Sequence, residues 1–319
     1  MKTFKQSFKT TFYPFIYLIL AALIFQGCVP EQEQSASIEE SGPKRIKVIT
    51  NAMDFQCVDT LPSGWNTFEF INKSSETHFF VFEKYPEGKS ISDAKNEVFP
   101  PFDKGMDLLN EGKTEEGYAA FNALPAWFFE VVFSGGSALL SPKHTSITTI
   151  HLDPGYYLME CYVKMVNGKF HSVMGMAKAM VVLDKPSDEK EPLADVNISI
   201  SSTEGITYDK EITKGHHFFS VNFSDQIAHE HFLGHDVNLV KLDKNADLGA
   251  LESWMNWADP KGLISPSPEG VTFLGGANDM PAGSRGYFEV DLSPGNYALI
   301  SEVPNAVSKN MLQTFVVSE

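Results

Sequence analysis

"GGSALLSPKHTSITTIHLDPGYYLMECYVK", residues 135–164, and "GGANDMPAGSRGYFEVDLSPGNYALISEVP", residues 275–304, are one pattern written twice. Gly135 and Gly136 stand 140 residues before Gly275 and Gly276, and Pro154 and Gly155 stand the same 140 before Pro294 and Gly295. An ungapped match of this length points to a tandem duplication. Within each copy, "ITTIHL" or "GYFEVDL" alternates apolar with polar residues, a Pro-Gly turn follows, and "YYLMECYV" or "YALISEV" supplies a second strand. Further strands are expected at "GWNTFEFIN" and "AKAMVVL" in the first copy and at "HDVNLVKL" and "LQTFVV" in the second. Many short strands with turn signals between them favour an all-β sandwich or Greek-key barrel.

Residues 90–130 break this rhythm. Apolar residues at helical spacing around Met106, Leu108, Leu109, Tyr118, Ala119 and Phe121 predict one or two short helices inserted in the first copy. "DKPSDEKEPLAD", residues 184–195, is rich in charge and proline and carries no apolar face, so the boundary between copies is expected there. The expected domains are residues 45–184 and 196–319, with a linker over 185–195.

The N-terminal end reads as an export signal. Lys2, Lys5 and Lys9 precede the apolar run "FIYLILAALIF", and Gly27 then Cys28 follow. A small residue before cysteine resembles a bacterial lipobox, with Phe25 and Gln26 looser than the usual pattern. Cleavage after residue 27 and lipidation of Cys28 are therefore expected, which places the protein at the cell envelope with its membrane contact made by the lipid. Removal of residues 1–27 deletes three lysines and no acid, taking the formal charge from −16 to −19. Such a surface repels nucleic acid and suits a basic protein partner. Residues 28–44, polar and without apolar period, read as a disordered tether.

Three motifs of the first copy belong together. "GYYLMEC" ends at Cys161, "FHSVMGM" places His171 five residues before Met176, and "EFINKSSETHFFVF" carries His78 after an Asn-containing turn. Across residues 48–183 this set resembles the cupredoxins, in which a cysteine closes one strand, a histidine and a methionine occupy the loop after it, and an earlier histidine comes from a neighbouring strand. The resemblance implies two tandem cupredoxin-like Greek-key β-sandwich domains and a copper site of His78, Cys161, His171 and Met176. Two imidazoles and a thiolate with a weak thioether suit neither copper oxidation state fully, so little rearranges when an electron moves. Zinc could occupy the same donors. Met174 is an alternative to Met176, and electron transfer and copper handling are equally compatible with the site.

The second copy has Ser301 where the first has Cys161, and "SEVPNAVSKNM" reaches Met311 without a histidine, so a copper site of that type cannot form there. Its "KGHHFFSVNFSDQIAHEHFLGHD" holds five histidines, of which His229, His231 and His235 are candidates for a second metal site or a pH-sensitive patch. Two-domain copper enzymes resembling this arrangement carry a histidine beside the cysteine. Here Glu160 occupies that place, which argues against oxidase or nitrite reductase chemistry. No P-loop, Gly-x-Ser-x-Gly or His-Glu-x-x-His motif is present. The competing reading is a metal-free binding sandwich with a Cys57–Cys161 disulfide, Cys57 ending a first strand at "MDFQC" and Trp127, Trp254 and Trp257 offering contacts.

Overall fold

The computed structural model describes residues 44–230 and 234–319. The signal segment, Cys28, the tether through residue 43 and His231 lie outside the described residues. The architecture is all-β, a sandwich of two extended layers, as the alternating strands require.

One layer holds β1 (Arg45–Thr50), most of β2 (Thr60–Asn72), β5 (Thr145–Leu152), β8 (Val196–Ser201), β9 (Gly205–Tyr208), β10 (Gly215–Phe223) and β13 (Arg285–Leu292). The other holds β3 (His78–Lys84), β4 (Val132–Leu140), β6 (Gly155–Glu160), β7 (Ala177–Pro186), β11 (Val237–Leu242), β12 (Val271–Ala277), β14 (Gly295–Ile300) and β15 (Leu312–Val317). The start of β2 crosses to the second layer, where Thr60–Ser63 run parallel to β7.

The two halves meet edge to edge in both layers. β5 pairs antiparallel with β13, with Thr148 opposite Phe288, and β4 pairs antiparallel with β12, with Ser137 opposite Ala277. Both pairs join positions 140 apart in sequence, so each edge strand meets its own counterpart and the halves are related by a local two-fold axis. Four open edges are thereby removed. The Gly-Gly pairs lie at this seam. Within each half, a Cβ on Gly136 would stand 2.0 Å from the Phe80 carbonyl oxygen on β3 and one on Gly276 2.1 Å from that of Val237 on β11, so these neighbouring strands can close only on glycine.

Alternation along β3 sorts the core. Phe80 and Phe82 face Phe68 and Phe70 between the layers, all four at most 1% exposed. Each contributes roughly 1.5–3 kcal/mol by burial. Phe79, Val81 and Glu83 face outward yet are also buried. Phe79 packs edge-on against Tyr162, and Glu83 shares a cavity with Val98, Phe99 and Phe102 of the expected insertion, which is built from α1 (Ile91–Asp93), α2 (Phe99–Asn110) and α3 (Thr114–Ala120).

Two expectations need correction. Residues 53–57 are not a strand: β1 ends at Thr50, and only Gln56 bridges back to Ile49. The second half also carries a helix, α4 (Leu248–Met255), between β11 and β12. Its eight residues are too few to print a clear period, but Asp247 caps it by accepting hydrogen bonds from Gly249 N and Ala250 N. The segment between β7 and β8 is tied down, since Ser187 N donates to the Ser63 carbonyl and Glu191 accepts from the Tyr287 hydroxyl at 2.5 Å.

Candidate metal centre

His78 opens β3 after a turn closed by Asn72. The Asn72 amide donates to the carbonyls of Glu76 (2.8 Å) and Leu140 (2.9 Å), and its oxygen accepts from Ser74 N at 3.0 Å. Cys161 is the first residue past β6. His171 returns to it through a small hairpin: Lys164 bridges Phe170, Met165 N donates to the Lys169 carbonyl, and His171 N donates to the Val163 carbonyl at 2.8 Å. Met176 N then donates to the His171 carbonyl (2.9 Å), and Cys161 N donates to the Met176 carbonyl (3.2 Å). The backbone thus binds Cys161, His171 and Met176 into one frame.

Within that frame the side chains converge. Cys161 Sγ lies 3.8 Å from His78 Nδ1 and 3.7 Å from His171 Nδ1, and all three residues are fully buried. They form the one His/Cys/Asp/Glu cluster of metal-binding compactness among the described residues. Metal bonds of about 2.3 Å to sulfur and about 2.05 Å to nitrogen, opening at about 120°, separate the two donors by about 3.8 Å. The observed spacing fits a shared ion and is long for hydrogen bonding.

Burial keeps both imidazoles neutral, pushing His78 down to about 4 and His171 to about 3, the latter helped by His78. It pushes the Cys161 thiol up to about 12 against the opposing hydrogen bonds from the Phe79 and Val163 amides. The ring nitrogens facing away from the cluster, Nε2 of His78 and His171, have no hydrogen-bond partner. A Glu76 oxygen comes within 3.1 Å of His171 Nε2 but without hydrogen-bond geometry. A soft sulfur with two neutral nitrogens, held before any ion arrives, fits copper or zinc.

Of the two methionines the sequence offered, Met176 is fully buried and its backbone closes this frame, whereas Met174 is 50% exposed. Cys57 and Cys161 are both free thiols, so the Cys57–Cys161 disulfide of the competing reading is absent. Burial of Cys57 pushes its thiol up to about 11. The tryptophans of that reading are engaged: Trp254 Nε1 donates to the Ile264 carbonyl, Trp127 Nε1 donates to Glu97, and Trp257 stacks on Phe170.

The same backbone frame recurs in the second half. Ser301 N donates to the Met311 carbonyl and Met311 N to the Ala306 carbonyl, while the pairing of β11 with β14 sets His235 where His78 stands in the first half. The positions of Cys161 and His171 are therefore held by Ser301 and Ala306. His229 Nε2 and His235 Nδ1 are 3.2 Å apart, and His235 Nε2 lies 2.9 Å from the Asp225 carbonyl oxygen. These two of the three expected second-site histidines meet, His231 lies outside the described residues, and no third ligand joins them among the described residues.

One residue went unnoticed in the sequence. Lys164, 1% exposed, sends its ammonium into the second half, donating to the carbonyls of Asp259 (3.0 Å) and Gly262 (2.9 Å). Its backbone also pairs there, with Lys164 N donating to the Leu263 carbonyl and Ser265 N to its own carbonyl. Tyr162 adds a 2.5 Å hydrogen bond to Glu302. The Cys161–His171 loop is therefore clamped by the second half.

No family model and no curated protein matches the chain. Among solved structures, an auracyanin from the photosynthetic bacterium Roseiflexus castenholzii matches at 20% identity over 44% of this chain and 96% of its own, with a TM-score of 0.26. Auracyanin A, a blue copper protein from Chloroflexus aurantiacus, matches at 21% over 44% and 100%, with a TM-score of 0.26. The copper nitrite reductase of Nitrosomonas europaea matches at 10% over 86% and 94%, with a TM-score of 0.21. At such scores the reading rests on the site itself.

Proposed function

We propose that this chain is a lipid-anchored cell-envelope protein whose first half is a cupredoxin-like domain in which His78 Nδ1, Cys161 Sγ and His171 Nδ1 would hold one copper ion, with Met176 as a further, weaker donor. The convergence of three buried donors at 3.7–3.8 Å carries this reading. Bound copper would supply one-electron redox chemistry. The chain's own part is to hold the imidazoles neutral, exclude water and fix the thiolate. The second half is read as a degenerate copy that lost cysteine and histidine and kept the frame. Anchoring rests on Cys28 and the segment before it, and the acidic surface favours a basic redox or copper-exchange partner. Glu160 beside Cys161 supports a carrier rather than an oxidoreductase with a second copper.

Dialysis of the purified full chain against copper and zinc tests the reading. One tightly bound copper, lost on His171→Ala, is expected; no bound metal would refute it. Reversible reduction without metal loss would mark an electron carrier, and release of Cu(I) to a chelating partner would mark a copper handler.

A further inference from the structure

Beneath the insertion, on the outer face of β3 and β6, lies a cavity of about 60 Å³. Eight aromatic rings line it, among them Phe102, Phe128, Phe170 and Trp257. Phe102 meets Phe128 and Phe170 edge-on at 5.7 Å each, and Trp257 stacks on Phe170 at 6.2 Å, so the walls form a connected cage. Three carboxyl groups reach the same space, Glu83, Glu160 and Asp279, each at most 9% exposed. No basic residue is among the described residues that line it. The charged groups acting on Glu83 are Glu160 and Asp279, both acids.

We propose that this cavity binds a small alkylammonium cation, its charge set against Glu83 and Asp279 and its alkyl groups against the aromatic walls. Aromatic faces attract cations through their quadrupole, and methylated ammonium groups are recognised by such cages. Lys164 already uses these rings from the adjoining space, its Nζ 5.5 Å from the Phe170 centroid and 6.0 Å from that of Trp257, without lining the cavity. Buried carboxyl groups gathered this closely are costly even with Glu83 hydrogen-bonded to Glu160 and Asp279 accepting from Gln226 Nε2 at 2.6 Å, and a cation relieves that cost. In keeping with this, burial pushes Glu83 and Asp279 well above the usual carboxylate range, with neighbouring acids adding to the shift. Size sets the ligand class. A cavity of about 60 Å³ is small, so the cation it admits is compact, and tetramethylammonium is the simplest of that class.

Calorimetric titration of the purified full chain with tetramethylammonium, the near-isosteric neutral tert-butyl alcohol and the larger tetrapropylammonium tests the proposal without reference to metal. Tetramethylammonium should bind at least about tenfold more tightly than either of the others, and Glu83→Gln should weaken it by about the same factor. Absence of binding, or equal binding of the cation and the alcohol, would overturn the proposal. The ligand comparison is made on the unaltered chain, so misfolding of the variant cannot decide it.

Discussion

The end of the sandwich where His78, Cys161 and His171 meet and the matching end of the second half are built on one backbone frame and differ in what it presents. In the first half the methionine-closed loop brings a thiol and a second imidazole to His78. In the second, the Ser301 hydroxyl donates to the Asp236 carboxylate at 3.0 Å, Ala306 offers no donor, and His235 turns to the Asp225 carbonyl and to His229. A strand frame can thus be kept for stability while the donors that give it chemistry are replaced, because the frame rests on backbone hydrogen bonds that any residue makes.

The strongest way to break this contrast is to make the first half like the second. Cys161→Ser should weaken copper binding at least about 100-fold, since disturbing even an outer partner of a ligand costs 10–100-fold. Competition against a chelator of known affinity measures it. Unchanged affinity would remove the distinction.

Next in size is the pH dependence. The imidazoles are neutral above about 4 and the thiol keeps its proton up to about 12. Binding at intermediate pH therefore releases one proton, from Cys161. Apparent affinity should rise about tenfold per pH unit between about pH 5 and 9. Chelator competition across that range gives the slope, and a flat profile would mean that no thiolate is a ligand.

Smaller effects concern the clamp and the replaced donor. Lys164→Met removes three hydrogen bonds, to the carbonyls of Asp259, Pro260 and Gly262, from an amine that burial pulls down to about 7, and should cost about 2–3 kcal/mol of stability in urea unfolding, with one copper still bound. Ser301→Ala leaves Asp236 with its amide partners from Glu302 N and Asn238 and should cost about 1 kcal/mol, with copper binding unaltered. A copper effect from Ser301→Ala larger than that from Lys164→Met would reverse the roles assigned to the two halves.

Much of this was legible beforehand. Period-2 alternation marks β5, β13 and their partners because one face of each is buried, and the Cys161, His171 and His78 motifs carry their spacing openly. The clamp was not legible, since a lysine four residues past the end of β6 reads as solvated and only the docked second half makes it buried. The burial of Glu83 and Glu160 was not legible either, because it arises only where the insertion packs over the outer face of their strands. The disulfide alternative was open because sequence fixes no distance between Cys57 and Cys161. The seam of β4 with β12 and β5 with β13 was hidden because a repeat shows that two units exist, not which edges meet.

The most direct test is a visible absorption spectrum of the purified full chain titrated with Cu(II), beside Cys161→Ser. An intense thiolate-to-copper band that saturates at one equivalent and is missing from the variant is the expected result. A colourless protein, or a band that survives in Cys161→Ser, would contradict the assignment of Cys161 as the copper ligand and with it the proposed function.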